Sequence, residues 1–345
     1  MLFIDRGEKM SVTIKDIARL ANVSHTTVSR ALNNSSLINK ETKIRIKKIA
    51  EEVHYTPNYS ARSLVLDKSY NIGLFFRTIN RGTSSGFFQE AVRGVNEVIK
   101  GDYNLIVKGI DDYDGFSRVS RQNFDGVIVM SQSSKDNAFI YHVLNNSIPL
   151  VVLNRELKED NLVNILSDDK KGCYRATEYL IKCGHKKIAL IEGKEGFEST
   201  KERKDGFIEA LLDYKITIDK ELIEKGNYDL KSGYEAMMRL LEKNELPTAV
   251  FCSNDDMALG AMKAIGEKGL RIPEDISITG FDDNVHSAYL TPALTTVKKQ
   301  VEVISREGAQ YLLKIINREL IKKETIFINT DLVIRDSVKN VENKE

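Results

Sequence analysis

Hydrophobic positions in the first sixty residues recur at helical spacing and predict three short helices. Thr13 is followed three residues later by Asp16, which predicts a capping box at the start of the first helix. Ser24 can cap the second helix after a tight turn, and the third begins near Asn39 or Lys40. The apolar positions are Ile14, Ile17, Ala18 and Ala21, then Val28, Ala31 and Leu32, then Ile46, Ile49 and Val53.

Two short helices joined by a tight turn, with a third behind them, are typical of a helix-turn-helix, whose second helix enters the major groove of DNA. On that helix the side chains of His25, Thr26, Ser29 and Arg30 lie away from the apolar side. Short hydroxyl groups let the backbone approach phosphates and base edges, and Arg30 can donate two hydrogen bonds to guanine. The alternative is that the Ser and Thr residues only cap helices. The pattern of all three helices favours DNA contact.

From residue 70 the pattern changes to short apolar runs separated by helix-like stretches. The first series predicts buried strands at NIGLFF (71–76), YNLIVKG (103–109), DGVIVM (125–130) and IPLVVLN (148–154). The second series predicts strands at KIALIEG (187–193), TAVFCS (248–253) and ISITGFDD (276–283). Helices such as GCYRATEYLIKCG and DMALGAMKAIGEKG accompany them. Alternating strands and helices predict parallel sheets, and two series predict two α/β lobes.

Polar side chains follow the predicted strands, and open α/β sheets bind ligands beyond the carboxyl ends of their strands. Such groups can pair with adjacent sugar hydroxyls, while an aromatic ring covers a C–H face. The polar candidates are Asn154, Arg155, Ser199, Arg203, Asn254, Asp255, Asp282 and Asp283, and the aromatic ones are Phe76, Phe87, Tyr228 and Phe281. Alternatives stay open: Arg155 can form a surface ion pair, Phe87 can belong to the core, and the two adjacent aspartates can cap a helix.

Composition and charge add a second indication. A chain of 345 residues is long enough for two or three domains. Its content of 41% hydrophobic and 29% charged residues is that of a folded globular protein. The net charge is only +1, yet residues 11–64 carry nine Lys or Arg against four Asp or Glu. This local excess of positive charge indicates a polyanionic partner for the N-terminal part.

No apolar run approaches the roughly 20 residues that span a bilayer. The start of the chain, MLFIDRGEKM, has no secretory signal, so we expect a cytoplasmic protein, with Met10 as an alternative translation start. The cysteines at positions 173, 183 and 252 contain no CxxC pair, and we expect them to be reduced packing thiols.

The stretches TIKDIARLANVSHTTVSRALNN and YTPNYSARSL resemble the DNA-binding region of the lactose-repressor (LacI/GalR) family of bacterial transcription regulators. The resemblance implies an all-α helix-turn-helix domain over 11–56, then a hinge helix and linker over 57–69 that folds on operator DNA. It also implies that Leu64 wedges into the minor groove, which suits an apolar side chain that unstacks a base step. The predicted DNA contacts are Thr13, Ser24, His25, Thr26, Thr27, Ser29, Arg30, Asn33, Tyr55, Asn58, Ala61, Arg62 and Leu64.

Residues 70–338 resemble the effector-binding and dimerisation module that this family shares with periplasmic sugar-binding proteins. Matching stretches include VVLNRE, ERKDGF and PTAVFCSNDDMALGAMKAIGEKGLRIPEDISITGFDD. The match implies that Arg203, Asn254 and Asp282 contact the effector and that Tyr228 forms an aromatic wall. The predicted effector contacts are Phe76, Phe87, Arg155, Ser199, Arg203, Tyr228, Asn254 and Asp282.

The resemblance further implies that the chain crosses between the lobes more than once. The predicted parts are a first lobe at about 70–165 and 295–325, a second lobe at about 166–294 and 326–338, and a tail at 339–345. Two departures concern the first lobe. The stretch RTINRGTSSGFF lacks the Asp and the Pro-Phe-Phe run usual in the family, and only 15 residues separate Gly109 from Asp125.

The motifs contain no signature of catalysis. GxSxG, HExxH, P-loop and GxGxxG patterns are missing, and the five histidines lack metal-ligand spacing, so we expect no enzyme, metal site or cofactor. We expect a homodimeric repressor of carbohydrate-utilisation genes that binds a palindromic operator and is controlled by a small effector, a sugar or sugar derivative. The alternatives are a purine-type corepressor, a global regulator driven by a phosphocarrier protein, and a ligand carrier without DNA function.

Overall fold

The computed structural model separates the chain into two units, Met1–Leu66 and Asp67–Glu345. The structure describes residues 12–32, 35, 37–53, 55, 68–79, 83–159, 162–319 and 324–341. The predicted DNA contacts Asn33, Asn58, Ala61, Arg62 and Leu64 lie outside the described residues. Within the described part, no helix combines the length and apolar character needed to cross a membrane.

The described part of the N-terminal unit contains three helices whose apolar faces meet in one small core. Helix α1 spans Ile14–Ala21, α2 spans His25–Leu32 and α3 spans Lys40–Glu52. The buried residues of this core are Ile17, Ala18, Ala21, Val28, Ala31, Ile46 and Ala50. The helical periodicity of the sequence therefore predicts both the helices and the faces that they bury.

Side-chain caps fix where these helices begin. The backbone N–H and the hydroxyl of Thr13 donate to Asp16 Oδ2 over 2.9 and 2.7 Å. The Ser24 hydroxyl accepts a hydrogen bond from the backbone N–H of Thr27 at 3.1 Å, and Asn39 Oδ1 accepts one from Thr42 at 2.8 Å. These bonds satisfy N–H groups that have no partner within the helix.

The first lobe of the second unit is built on a six-stranded parallel sheet. Its strands are β1 Asn71–Phe76, β2 Asn104–Gly109, β3 Gly126–Met130, β4 Leu150–Leu153, β5 Val163–Ser167 and β11 Glu324–Ile328. They lie in the order β11-β5-β4-β3-β1-β2, with every pair parallel. Helices α4 (Ser85–Ile99) and α10 (Val301–Ile316) pack on one face, and α5 (Asn137–Asn145) packs on the other. Strand β3 is buried along its whole length because both faces are covered.

The second lobe repeats this architecture with one antiparallel pair. Its strands are β6 Ile188–Glu192, β7 Ile223–Lys225, β8 Ala249–Cys252, β9 Ser277–Asp282, β10 Thr295–Lys298 and β12 Asp331–Val333, in the order β12-β10-β9-β8-β6-β7. Its helices are α6 Asp169–Lys182, α7 Glu198–Asp213, α8 Leu230–Leu241 and α9 Asp255–Glu267. Helices α6 and α7 cover one face, α8 and α9 cover the other, and only β10 and β12 run antiparallel among the described pairs.

The described chain passes between the lobes at three places. It leaves the first sheet after β5 at residues 168–169, leaves the second sheet after β10 at residues 299–300, and returns from β11 to β12 through residues 329–330. These three segments are called the crossovers. Each lobe is therefore assembled from separate stretches of sequence.

The predicted lobe boundaries need correction at two places. Thr295–Lys298 pairs with β9 and so belongs to the second lobe, whereas the sequence places 295–325 in the first. Phe327 and Ile328 pair with β5, so the first lobe continues beyond residue 325. A four-residue strand carries no periodicity that says which sheet it joins, and only the pairing decides.

Part of the predicted tail also belongs to the second lobe. The backbone N–H of Lys339 donates to Ser277 Oγ at 3.1 Å, and that of Val341 donates to the carbonyl of Cys183 at 2.8 Å. His185 Nε2 lies 3.2 Å from the carbonyl oxygen of Lys339. Residues 339–341 are therefore held by the lobe.

Candidate functional site

The second helix of the N-terminal unit presents an exposed polar face. His25, Thr26 and Arg30 are exposed, whereas Val28 and Ala31 on the opposite side are buried. The predicted contacts Thr27 and Ser29 are partly exposed. A helix that buries small apolar residues and presents short polar ones can approach a DNA groove closely.

Other predicted DNA contacts also hold this unit together. Thr13 and Ser24 are exposed caps, and Ser24 Oγ lies 2.9 Å from the Thr27 hydroxyl. Tyr55 packs partly buried against the three-helix core. Exposed cations on the same unit are Lys15, Arg19, Arg30, Lys40, Arg45, Lys47 and Lys48. This positive surface suits the phosphate backbone of DNA.

In the second unit, a cleft of about 370 Å³ opens between the two lobes. Its walls come from both lobes and from the second crossover. The lining residues are Thr83, Ser84, Phe87, Gln132, Asn154, Ser199, Arg203, Tyr228, Asn254, Asp282 and Lys299. Many of them follow the carboxyl ends of strands, which is where parallel sheets bind ligands.

Arg203, on α7, is the most heavily bonded side chain of the cleft. Its Nε donates to Asp169 Oδ2 at 3.0 Å, its Nη1 donates to the carbonyl of Ser253, and its Nη2 lies 3.5 Å from Asp282 Oδ1. Burial alone lowers the pKa of an arginine, but Asp169 reverses this, and the pKa of Arg203 lies above its usual value. The guanidinium is therefore charged and held in one orientation.

Asp282 lines the cleft from the second lobe, and the buried Asp255 directly follows the cleft residue Asn254. Burial raises the pKa of Asp282 to about 6, although Arg203 and Lys299 oppose the rise. Burial also raises the pKa of Asp255 to about 7, and Asp282 acts in the same direction. The Asp255 carboxylate accepts hydrogen bonds from Thr296, Ser287 and the backbone of Asn284, at 2.5, 2.7 and 2.8 Å.

An aromatic ring from each lobe lines the cleft, Phe87 from the first lobe and Tyr228 from the second. Phe87 packs edge-on against Phe76, with ring centres 6.3 Å apart. The hydroxyl of Tyr228 lies 3.0 Å from the hydroxyls of both Ser199 and Thr200. A Cβ on Gly193 would lie 2.1 Å from the Tyr228 ring, so this position needs glycine for the ring to fit. These contacts fix the ring edges without covering all of their surface.

Three cleft residues hold left-handed backbone conformations. The φ angles of Asn154, Tyr228 and Asp282 are 68, 62 and 118°. Such angles are costly for residues other than glycine, and they persist where the surrounding structure enforces them. The surrounding structure therefore fixes the backbone that presents these side chains.

The structure brings together most, but not all, of the predicted effector contacts. Phe87, Ser199, Arg203, Tyr228, Asn254 and Asp282 line the cleft. Phe76 does not, because it is 1% exposed and lies in the core beneath Phe87. Arg155 also lies outside the lining, because its guanidinium bonds to Ser131 Oγ and Asn137 Oδ1 within the first lobe, at 2.9 and 2.6 Å.

The cleft also contains Thr83, Ser84, Gln132 and Lys299, which are not among the predicted candidates, and Asn154, a polar candidate outside the set of predicted effector contacts. Asn154 and Gln132 lie just after apolar strands, which is a signal that the sequence offers. Asn254 has two tasks, because its Oδ1 caps α9 by accepting from Met257 at 3.0 Å while its amide nitrogen lies 3.3 Å from the carbonyl of Tyr228.

The described residues contain no group of three or more His, Cys, Asp or Glu arranged to hold a metal ion. The three cysteines are buried thiols. Burial raises the pKa of Cys173 and of Cys252, which keeps both protonated.

Comparison with known proteins agrees with this architecture. Residues 13–58 match the bacterial regulatory proteins of the lacI family, and residues 177–338 match the periplasmic binding protein-like domain. The chain is 55% identical over 330 residues to the probable HTH-type transcriptional repressor ExuR of Bacillus subtilis (strain 168), covering 96% of this chain and 99% of the relative.

Solved structures show the same fold. The lac repressor dimer bound to operator and the anti-inducer ONPF superimposes with a TM-score of 0.77 at 26% identity, covering 95% of this chain and 99% of that chain. The complex of the transcriptional regulator CelR with cellobiose gives a TM-score of 0.73 at 27% identity, covering 94% of this chain and 99% of that chain.

A DNA-binding helical unit joined to a two-lobed effector module defines a ligand-responsive transcription regulator. The chain belongs to the lacI family of bacterial regulatory proteins. It is a transcriptional repressor, as its relatives are, and not an enzyme.

Proposed function

We propose that this repressor binds a sugar or sugar derivative in the cleft between its lobes, and that the bound ligand sets its affinity for DNA. The observation that carries the proposal is the cleft itself, which is lined by hydrogen-bonding groups from both lobes together with the rings of Phe87 and Tyr228. A ligand that contacts both lobes favours the arrangement of the lobes in which both sets of contacts form. Binding therefore shifts the protein towards that arrangement. The genes under control are those of carbohydrate utilisation.

The chemistry of the lining favours a polyhydroxylated ligand. Amide, carboxyl and guanidinium groups from Asn154, Asp282 and Arg203 can each pair with neighbouring hydroxyls, while the aromatic rings accept the C–H face. The similarity to CelR, whose solved complex contains cellobiose, supports the same ligand class.

On the DNA side, we infer that the protein acts as a homodimer on a palindromic operator. His25, Thr26 and Arg30 are the exposed groups of α2 that can read base edges. Two copies related by a two-fold axis place two such helices in successive major grooves, which requires an operator with matching symmetry. The operator-bound dimer of the lac repressor supports this arrangement. Leu64 of each copy is the proposed minor-groove wedge.

A melting experiment tests the effector class. The full chain is heated with separate panels of sugars, sugar phosphates and purines, with and without operator DNA selected from random sequence. We expect a compound from the two sugar panels to raise the melting temperature, and operator DNA to change the size of that shift, because ligand and DNA are linked through one equilibrium. If only purines raise the melting temperature, the effector is a purine corepressor and the proposal of a sugar is wrong.

A variant of the cleft shows whether the shift arises there. Asn254→Ser retains an oxygen that can cap α9 but loses the amide, which lies 3.3 Å from the carbonyl of Tyr228, so the helix cap is kept while the proposed ligand contact is lost. We expect the ligand-induced shift to disappear. The matched control is Asn145→Ala, which changes an exposed asparagine at the end of α5. If the ligand raises the melting temperature of Asn254→Ser as much as that of the wild type, the ligand binds outside the cleft.

A further inference from the structure

Two buried cations at the back of the cleft share one carboxylate. Asp169 Oδ2 lies 2.9 Å from Arg203 Nη2 and 3.2 Å from Lys299 Nζ. Asp169 is 5% exposed, and Arg203 and Lys299 are each 3% exposed. At this depth, removing one partner leaves a charge without compensation, so the three side chains respond as a group.

The three residues belong to parts of the molecule with different tasks. Arg203 lies on α7 and bonds to the cleft residue Asp282. Asp169 is the first residue of α6, directly after β5, and therefore belongs to the first crossover. Lys299 follows β10 and belongs to the second crossover. The shared carboxylate thus connects a ligand-facing side chain to two passages between the lobes.

The third crossover is tied to the other two by hydrogen bonds. The backbone N–H of Asp168 donates to the carbonyl of Ile328 at 3.2 Å, and the Thr330 hydroxyl donates to the carbonyl of Asp168 at 3.4 Å. Gln300 Nε2 donates to the carbonyl of Asn329, also at 3.4 Å. A displacement at residues 168–169 therefore strains all three crossovers.

The charges keep this connection intact. Burial favours the neutral form of a carboxyl group, but Lys299 and Arg203 outweigh it, and the pKa of Asp169 lies below its usual value. The Ser167 hydroxyl donates to the other carboxylate oxygen. Asp169 is thus an ionised acceptor whose bonds are divided between the cleft and the crossovers.

We propose that Asp169 is the positioning residue that couples cleft occupancy to the three crossovers. A ligand oxygen that accepts a hydrogen bond from Arg203 competes with Asp169 for the same donors. Asp169 then shifts toward Lys299, and the crossovers respond. The ligands that can act this way present hydroxyl, carbonyl or carboxylate oxygens to Arg203. This inference rests on the proposed function only in that the cleft takes a ligand.

The test perturbs the cleft and measures the crossovers, with no ligand added. Amide hydrogen exchange is followed in the full chain for peptides that cover 165–170, 296–301 and 328–332. In Arg203→Met the cleft cation is lost, and we expect exchange in these peptides to accelerate about tenfold, because their opening becomes easier. In an Asp169→Asn background, where the connection is already broken, we expect Arg203→Met to change exchange there by less than about twofold.

Two controls separate coupling from loss of structure. Arg239→Met removes an arginine of the second lobe that pairs with Glu224 at 2.7 Å, and it leaves crossover exchange unchanged. If Arg203→Met does not fold, Arg203→Lys keeps the charge, loses the planar fork and is measured in the same way.

Unchanged crossover exchange in the Arg203 variant overturns the proposal. An equal acceleration with and without Asp169 overturns it as well, because the two residues then act independently. Since no ligand is present, either failure is distinct from a failure to find a sugar effector in the melting panels.

Discussion

The guanidinium carbon of Arg203 lies 3.7 Å from the centre of the Phe281 ring. Phe281 is fully buried at the end of β9, so this cation–π contact forms away from water. A desolvated contact of this kind is worth about 2 kcal/mol, more than an exposed one. The same ring also packs in the core, and the position therefore serves both the stability of the lobe and the orientation of Arg203.

Phe281→Leu should consequently cost more than an ordinary core substitution. Phe251→Leu is the matched control, because Phe251 is fully buried in the same cluster and both changes remove similar volume. We expect Phe281→Leu to lower the free energy of unfolding by about 1–2 kcal/mol more than the control, measured by urea denaturation. Equal losses would mean that the ring contributes packing alone.

Close packing of α7 against α6 predicts an effect at Gly206. A Cβ there would lie 2.1 Å from the carbonyl oxygen of Lys170, which is backbone and cannot move aside cheaply. We expect Gly206→Ala to destabilise the protein by about 2 kcal/mol or more and to weaken ligand binding, because α7 carries Arg203.

The control for this change is another helical glycine. A Cβ on Gly266, in α9, meets nothing within 4 Å. Gly266→Ala should therefore stabilise the protein by about 0.5–1 kcal/mol through helix propensity alone. Thermal unfolding of both variants checks the pair, and a neutral Gly206→Ala would contradict the close contact.

Stability should fall as the pH rises toward neutrality, because of Asp255. Its pKa is about 7 in the folded protein, whereas an unfolded aspartate titrates near 4. Between these values the folded state binds the extra proton, so this group stabilises the fold at low pH, and the contribution is lost as pH rises through 7. Asp282, with a pKa of about 6, acts with the same sign.

The expected slope from Asp255 is up to about 1.4 kcal/mol per pH unit between its two pKa values. Urea unfolding at pH 5, 6, 7 and 8 measures it, and Asp255→Asn should flatten the dependence. Asp275→Asn is the control, because Asp275 bonds to Arg271 at the surface and Arg271 lowers its pKa. Identical pH slopes in wild type and Asp255→Asn would refute the prediction.

Arg30→Ala should relax sequence preference more than it weakens DNA binding overall. A bidentate contact to guanine is worth about 1–3 kcal/mol of discrimination at one base pair. Selection of operators from random duplexes by wild type and variant measures the preference. Arg19→Ala, which changes an exposed arginine of α1, should weaken binding to all DNA sequences by a similar factor. An unchanged preference at every position in Arg30→Ala would exclude base reading by this residue.

The sequence predicts elements well where apolar runs are long and uninterrupted. NIGLFF corresponds to β1 at Asn71–Phe76 without any shift of its ends. Strand β5, VNILS, is missed because a polar residue interrupts it. Asn164 is fully buried there and bonds to the backbone of Leu157 at 3.0 and 3.1 Å, so its polarity is satisfied inside the fold. No local pattern reveals such a partner.

The first lobe also departs from regular alternation between β2 and β3. The short connection noted after Gly109 contains a 3-10 turn at Ile110–Asp112 and no α-helix. Arg77, which stands after β1, pairs with Asp111 at 2.7 Å and bonds to the carbonyl of Lys135 at 3.0 Å. These contacts hold the loop after β1 against the loops that follow β2 and β3. The loop after β1 is the region that lacks the Asp and the Pro-Phe-Phe run usual in the family.

The cleft residues also divide into those that the sequence predicts and those that it does not. Asp282 ends strand β9 and Arg203 lies on the helix that follows β6, and both carry groups that suit ligand binding, so the sequence identifies them. Phe76 belongs to a strand covered on both faces, and a buried strand gives no alternation that says which side chains reach a cleft. Lys299 looks like any surface lysine, and only the path of the second crossover brings it to the lining.

The three crossovers mean that neither lobe can be cut from the gene as one piece. A protease that nicks a single crossover leaves both halves held by the remaining two. An exchange of one lobe between two relatives needs three simultaneous junctions, each beside the Asp169–Lys299 ion pair or the hydrogen bonds around it. Recombination is therefore expected to exchange the N-terminal unit between such repressors far more readily than either lobe of the second unit.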